Sequence, residues 1–304
     1  MSIGNGNGKV ILFGEHFVVH GAPSIVAAIK NEAIVEVSPS NDSENHIITT
    51  LTVVPKLSTA GIGRVLESLG IKEKYDVRLT GDLPTFGGLG SSAAFCVALA
   101  RAFAKEKGIQ LTPQEINRHA YEGEKAFHGN PSGVDNLAAT YGGVFQFVRG
   151  KTYSENKFEQ IKLSKSLHLV ISFSGKYSAT VAMVEKVRLS KEKDPKGFED
   201  LVSSYKKIFD LGKSAIISGD VLKIGQLMNE NHALLQRLGT SDPLNDQIVE
   251  IARKNGALGA KVTGGGGGGC CIALVNNENE AKELAKTISL AGFESFATVI
   301  SSSK

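Results

Sequence analysis

A glycine-rich turn that runs directly into a helix-forming segment constrains this chain more than any other feature. Residues 86–92 read FGGLGSS, and the alanine-rich residues 93–104 that follow favour a helix. A helix start presents unpaired backbone N–H groups and a partial positive charge, and glycines leave no Cβ between those groups and a ligand. The two serines add hydroxyls that can bond a phosphate oxygen or ligate Mg²⁺. The turn therefore predicts an anion cradle, although a capped helix after a tight turn explains it equally well.

Charge and cysteine content exclude several classes of function. The 304 residues carry a formal net charge of +3, which is too mild for a nucleic-acid-binding chain but suits an anionic ligand. The three cysteines, Cys96, Cys270 and Cys271, lack the spacing of a metal site and indicate a reducing compartment. We find no signal-peptide pattern and no apolar stretch near the ~18 residues of a membrane span. We therefore expect a cytoplasmic protein with neither nucleic acid nor membrane as a partner.

The pattern of apolar residues predicts a strand-rich first half and a helix-rich second half. Strands are predicted at 10–13, 24–37, 46–54, 75–79, 144–148, 167–173, 270–275 and 293–300. Helices are predicted at 62–70, 93–104, 113–127, 180–191, 198–218, 220–237, 243–255 and 279–290. Thr112 and Glu115 predict a capping box at the start of the helix at 113–127. Glycine, asparagine and proline predict a loop at 4–8 and a turn at 128–136. The shift in composition near residue 165 predicts two domains, 1–165 and 166–304.

Polar residues with the chemistry of phosphoryl transfer occur in two further segments. They are Lys9, Glu15, His16 and His20 near the N-terminus, and Glu124 and Asp135 around the turn. Phosphoryl transfer needs a phosphate cradle, a carboxylate and a hydroxyl for Mg²⁺, a cation near the transferred group and a carboxylate near the attacking hydroxyl. Taken singly, each residue also has a structural explanation: a solvated lysine, buried histidines, or an aspartate that caps a helix. The spacing alone does not bring the segments together.

Taken together, these segments resemble the motifs of the GHMP kinase superfamily and, within it, of the mevalonate kinase family. Residues 9–21 (KVILFGEHFVVHG) resemble the first motif, and residues 88–93 (GLGSSA) resemble the phosphate loop. Residues 128–136 (HGNPSGVDN) resemble a segment specific to mevalonate kinases, and residues 261–270 (KVTGGGGGGC) resemble the third motif. The resemblance extends over nearly the whole chain.

The resemblance implies an α+β fold with a ribosomal protein S5 domain 2-like N-terminal domain and a ferredoxin-like C-terminal domain, and a site in the cleft between them. It implies ATP-dependent phosphorylation of the C5 hydroxyl of mevalonate, which gives 5-phosphomevalonate and ADP for isoprenoid biosynthesis. Mg²⁺ is the implied cofactor and ATP the implied co-substrate. Mevalonate and ATP are thus the expected partners, and the resemblance allows a homodimer.

Matching motif positions assign roles to individual residues by resemblance. Asp135 matches the acid that orients or deprotonates the acceptor hydroxyl, and Lys9 matches the lysine that contacts this acid and the transferred phosphoryl group. Ser92 and Glu124 match the Mg²⁺ ligands. The expected nucleotide-binding residues are Pro84, Phe86, Gly87, Gly88, Leu89, Gly90, Ser91, Ser92, Ala93 and Ala94. The expected substrate-binding residues are Glu15, His16, His20, Thr263 and Gly264.

The sequence departs from the family pattern in three places. Residues 6–8 read GNG where the family usually has Ala-Pro-Gly, and Gly265 replaces a usual alanine. A threonine that contacts substrate in many relatives cannot be placed within residues 175–179 (GKYSA).

Other members of the superfamily are the alternative functions. A galactokinase would carry Asp-Tyr where residues 18–19 are both valine, and a phosphomevalonate kinase usually lacks the Glu-His pair. A ligand-sensing relative without activity is expected to lose Asp135, Lys9 or the serines of the cradle, and all of these are present.

Overall fold

Two compact units alternate along the chain in the computed structural model, which describes residues 1–49, 58–85, 87–177 and 180–301. The first unit comprises Met1–Lys9, Lys30–Thr85 and Gly90–Gly142. The second comprises Val10–Ile29, Phe86–Leu89 and Gly143–Lys304. The division into domains 1–165 and 166–304 stays a prediction.

Strands with helices packed around α2 build the first unit. Its strands belong to β1 (Ser2–Phe13), β2 (Ser24–Pro39), β3 (His46–Thr49) and β4 (Tyr75–Gly81). Its helices are α1 (Ser58–Ser68), α2 (Ser91–Glu106), α3 (Pro113–His128) and α4 (Val134–Tyr141). The second half of β2 pairs antiparallel with β4, and β3 pairs parallel with β4. The predicted capping box of α3 is present, with reciprocal bonds between Thr112 and Glu115. Of the strand predicted at 46–54, residues 50–54 lie outside the described residues.

The predicted loop at 4–8 is wrong, because these residues belong to β1. A Cβ on Gly6 would lie 2.1 Å from the carbonyl oxygen of Ala94, and one on Gly4 would lie 2.2 Å from that of Ala98. Glycine at these positions lets the backbone of β1 lie directly on α2. The glycines that indicated a loop therefore serve close packing.

The predicted turn at 128–136 is too long. It ends at Gly133, whose φ of 83° lies in the left-handed region that favours glycine, and α4 begins at Val134. Asp135 thus lies in the first turn of a helix, where a carboxylate interacts favourably with the helix dipole.

In the second unit the first residues of β2 pair with β5, and four further strands form an antiparallel sheet. The additional strands are β5 (Val144–Val148), β6 (Lys157–Ile161), β7 (Leu167–Phe173), β8 (Gly259–Thr263), β9 (Cys270–Val275) and β10 (Glu294–Ile300). The helices are α5 (Thr180–Lys193), α6 (Pro195–Ser218), α7 (Val221–Arg237), α8 (Pro243–Lys254) and α9 (Glu278–Leu290). The sequence pattern predicted neither β6, which pairs with β5, nor β8, which pairs with β9.

The antiparallel sheet has the strand order β10-β7-β9-β8. Helices α5–α8 connect β7 to β8, and α9 connects β9 to β10. This is the β-α-β-β-α-β arrangement of a ferredoxin-like unit with extra helices in its first connection, as expected for the C-terminal part. No helix in the described part of the chain is long and apolar enough to span a bilayer.

Candidate active site

An ion pair between Lys9 and Asp135 lies beside the start of α2 in the first unit. The Lys9 Nζ atom is 3.1 Å from Asp135 Oδ1, and the two side chains are 4% and 29% exposed. Gly90, the N-cap of α2, has a φ of 69°, and a Cβ there would lie 2.9 Å from Lys9 Cγ. Glycine is therefore required for the turn to pass this close to the pair. The buried lysine and the more exposed carboxylate give the pair one side that a ligand can reach.

Glu124 is a buried acid near this pair, and it contacts Ser92. Burial raises the pKa of Glu124 to about 8, and the negative charge of Asp135 adds to this rise. The hydrogen bond from Ser92 and the positive charge of Lys9 act in the opposite direction. His128, one helical turn further along α3, has its Nε2 atom 3.3 Å from Ser92 Oγ and 3.9 Å from Glu124 Oε2. Within the described residues, Glu124 Oε1 is buried and has no hydrogen-bond partner. A cation beside this carboxylate would compensate its burial.

His128 was not predicted as a site residue, although its sequence spacing pointed to it. Residues four apart on a helix lie on the same face, so a histidine at that spacing from Glu124 is expected to approach it.

The predicted nucleotide-binding residues are divided between the two units. Pro84 and the segment from Gly90 to Ala94 belong to the first unit, whereas Gly87, Gly88 and Leu89 belong to the second. Phe86 lies outside the described residues.

At the start of α2, Ser91 and Ser92 are partly exposed, whereas Ala93 and Ala94 are buried. The Ala94 N–H already donates to the Gly90 carbonyl at 2.9 Å. The amides that precede Ala94 are the ones a helix leaves for a ligand.

Glu15 and Lys261 form a buried ion pair in the second unit. Both side chains are fully buried. The Lys261 ammonium donates to the Glu15 carboxylate, to the Val262 carbonyl at 2.7 Å and to the Ile11 carbonyl at 3.4 Å. Lys261 begins the segment that resembles the third motif, but the resemblance did not predict it as a site residue. The sequence pattern predicted no strand at this position, so it gave no sign that Lys261 is buried; in the structure all residues of β8 are buried, and a buried ammonium needs polar partners.

His16 and Thr263 tie the same two segments together. His16 Nε2 lies 2.8 Å from the Gly265 carbonyl, which can only accept, so Nε2 carries the proton. Burial lowers the pKa of His16, which favours the neutral imidazole, and Nδ1 is then an acceptor. This Nδ1 is buried without a hydrogen-bond partner among the residues described. Thr263 Oγ1 accepts from the Ile11 N–H at 2.9 Å and donates to the Ile11 carbonyl at 3.3 Å.

His20 belongs to a separate contact. Its ring packs edge-on against Phe198, with ring centroids 4.8 Å apart. Burial and the nearby Lys191 charge lower the pKa of His20.

The two glycine-rich turns of the second unit touch through their backbones. Gly264 has a φ of 80°, and a Cβ there would lie 2.7 Å from Gly88 Cα. At Gly266, where φ is 66°, a Cβ would lie 2.1 Å from the Thr240 carbonyl oxygen. The run of glycines is therefore a packed turn in which these positions exclude a side chain.

Comparison with known proteins identifies the family. The model of the GHMP kinases N terminal domain matches residues 57–143, and that of the GHMP kinases C terminal matches residues 213–292. The mevalonate kinase of Pyrococcus abyssi is 33% identical, with 96% of this chain and 93% of that protein covered. The mevalonate kinase of Pyrococcus furiosus is 34% identical, with 96% and 94% covered.

A solved structure extends the match to the fold. The crystal structure of L. major mevalonate kinase in complex with R-mevalonate has a TM-score of 0.93 and 32% identity, and the match covers 100% of this chain and 97% of that one. The two-domain GHMP kinase fold implied by the sequence motifs is thereby confirmed. The chain belongs to the GHMP kinases and, within them, to the mevalonate kinase family.

Proposed function

We propose that this protein transfers the γ-phosphoryl group of ATP to the C5 hydroxyl of mevalonate and releases 5-phosphomevalonate and ADP. The observation that carries the proposal is the Lys9–Asp135 pair at 3.1 Å, placed where α2 begins. Phosphoryl transfer requires a carboxylate for the attacking hydroxyl and a cation for the transferred group, and this pair supplies both.

Asp135 acts on the acceptor. A primary alcohol does not lose its proton at neutral pH without help, and a carboxylate within hydrogen-bond reach orients the hydroxyl and takes the proton. As the C5 oxygen forms its bond to the γ-phosphorus, the bond from that phosphorus to the bridging oxygen breaks, and ADP leaves with the electron pair. The proton passes to Asp135.

Lys9 serves both the acid and the phosphoryl group. Its ammonium lies 3.1 Å from the Asp135 carboxylate and stabilises negative charge on the phosphoryl oxygens. Because Lys9 is only 4% exposed, it has little freedom to swing away, and its charge is less screened than that of a surface lysine.

Residues at the start of α2 are proposed to bind the phosphates of ATP. The helix dipole and the first amides of α2 attract an anion, and the hydroxyls of Ser91 and Ser92 are partly exposed there.

Ser92 and Glu124 fit a magnesium ion that is bound together with phosphate. Among the described residues, the buried Oε1 of Glu124 has no hydrogen-bond partner. Together with the hydroxyl of Ser92, which Glu124 contacts, it provides two hard oxygen donors, and phosphate and water oxygens complete such sites. The described residues contain no group of three or more His, Cys, Asp or Glu side chains that could hold a metal by themselves. Bound Mg²⁺ neutralises phosphate charge during transfer.

His16 has the best-supported role among the residues predicted to bind mevalonate. With Nε2 donating to Gly265, Nδ1 is left as an acceptor suited to a ligand hydroxyl. Direct contacts of Glu15, His20, Thr263 and Gly264 with mevalonate stay predictions. A cytoplasmic location and a homodimer stay predictions as well.

A panel of acceptors tests the proposal. ADP release is measured with ATP and Mg²⁺ against mevalonate, phosphomevalonate, galactose and homoserine in parallel, and the product is identified by ³¹P NMR. We expect turnover with mevalonate alone and a phosphomonoester as the product. Turnover with galactose or phosphomevalonate and none with mevalonate would refute the proposal.

A further inference from the structure

We propose that Lys261 is a positioning residue for the acceptor, acting through Glu15 to hold His16 in place. This inference rests on the proposed function, because the effect is expected on mevalonate binding. Lys261 itself is fully buried, so it does not touch a ligand.

The hydrogen bonds of Lys261 show why its effect passes through other residues. An ammonium has three donors, and in the described part of the chain Lys261 donates to the Glu15 carboxylate and to the carbonyls of Val262 and Ile11. The lysine thus connects β8 to the end of β1, while the backbone of β8 pairs with β9.

A second set of bonds makes this connection rigid. Thr263 holds the Ile11 N–H at 2.9 Å and its carbonyl at 3.3 Å, and His16 donates to the Gly265 carbonyl at 2.8 Å. Residues 11–16 and 261–265 are therefore fastened at Ile11, Glu15 and His16. Removing the lysine takes away the middle contact and leaves a buried carboxylate beside His16.

Stability by itself does not account for an ion pair at this place. Apolar side chains of similar volume often replace a buried ion pair without loss of stability, whereas an ion pair also fixes one geometry. Here the ion pair fixes the His16 imidazole. The Nδ1 atom of His16 has no hydrogen-bond partner in the part of the chain that the structure describes, and it is the proposed acceptor for the substrate hydroxyl.

Three variants test the inference: Lys261→Met, Glu15→Gln and the double variant. If the two residues act as one unit, each variant raises the KM for mevalonate about tenfold or more, the double variant raises it no further, and the KM for ATP stays within about twofold. We expect Lys261→Met to lower the melting temperature and the double variant to restore it, since the double variant removes the buried carboxylate together with its ammonium.

Two kinetic results overturn the inference. A double variant with wild-type KM for mevalonate assigns the pair a structural role only. If the KM for mevalonate of the double variant rises by the product of the two single-variant increases, Glu15 acts on the substrate independently of Lys261. If Lys261→Met does not fold, the comparison of Glu15→Gln with the double variant decides. Lys213→Met is the matched control: it removes a lysine 2.9 Å from Glu159 in the same unit and should leave both KM values unchanged.

A measurement without turnover separates this inference from the proposed function. In ¹⁵N spectra of the histidine rings, wild type should show His16 protonated at Nε2, and the double variant should lose this fixed tautomer. An inactive wild type in the acceptor panel refutes the function while the spectra still test the positioning. An unchanged His16 signal in the double variant refutes the positioning.

Discussion

Replacing Asp135 with asparagine separates chemistry from structure at the proposed site. Asparagine keeps the shape and a carbonyl oxygen toward Lys9, but it removes the charge and the basicity. General-base assistance and orientation of a hydroxyl are typically worth ~10²–10⁴-fold. We therefore expect kcat to fall by ~10²–10⁴-fold, which corresponds to about 3–5 kcal/mol in the activation barrier. The KM for ATP should change little.

The effect on stability is expected to be smaller. Asp135 lies in the first turn of α4, where a carboxylate contributes about 0.3–1 kcal/mol through the helix dipole. Breaking a buried ion pair costs about 3–5 kcal/mol, but Asp135 is 29% exposed and asparagine still accepts a bond from Lys9. A loss of about 1–3 kcal/mol follows, which lowers the melting temperature by several degrees and leaves the fold intact.

Steady-state kinetics and thermal unfolding of the same preparation measure both effects. The matched control is Asp246→Asn, which removes another first-turn aspartate, 3.2 Å from the Nε2 atom of buried His232. This control should lose stability and keep kcat. If Asp135→Asn keeps more than about a third of the wild-type kcat, the proposed role is wrong. If it is inactive because it unfolds, Asp135 serves the helix start instead.

Three further outcomes follow from the geometry. Glu124→Gln should raise the Mg²⁺ concentration needed for half-maximal activity and lower kcat, whereas Glu122→Gln on the same helix should match wild type. An equal dependence on Mg²⁺ in the two variants refutes the role of Glu124 as a Mg²⁺ ligand. Gly266→Ala should lower the free energy of unfolding, measured in urea, by more than ~2 kcal/mol, because φ is left-handed there and the new Cβ meets the Thr240 carbonyl oxygen. Gly265→Ala, at a residue whose φ is not positive, should change it little, and equal losses in the two variants contradict this prediction. Burial lowers the pKa of His232 to about 4, so the folded protein keeps this histidine neutral while the unfolded chain binds a proton there below about pH 6.5. About 2 kcal/mol of folding stability should therefore be lost between pH 7 and pH 5. His232→Gln should remove this pH-dependent loss, and a variant whose stability depends on pH as in wild type refutes the role of His232.

Local signals in the sequence predicted most of the helices and strands. The bounds of β9 agree with the predicted 270–275, and α3 begins at the capping box that Thr112 and Glu115 indicated. Such elements are marked by neighbouring residues, so the sequence contains the information needed to find them. The start of β1 was missed because its glycines serve a contact with α2, about ninety residues away, that no local pattern reveals.

The proposed site shows the same limit more sharply. Its individual residues were predicted from motifs, and the Lys9–Asp135 contact was expected from the resemblance. The Glu15–Lys261 pair was not, because the sequence pattern predicted no strand at Lys261 and so gave no sign of a buried ammonium that needs polar partners. The chain offers 31 acidic residues, and the one that pairs with Lys261 lies 246 positions away. Burial in the apolar strand predicts that a partner exists, while its identity depends on how β1 meets β8, which is a property of the folded chain.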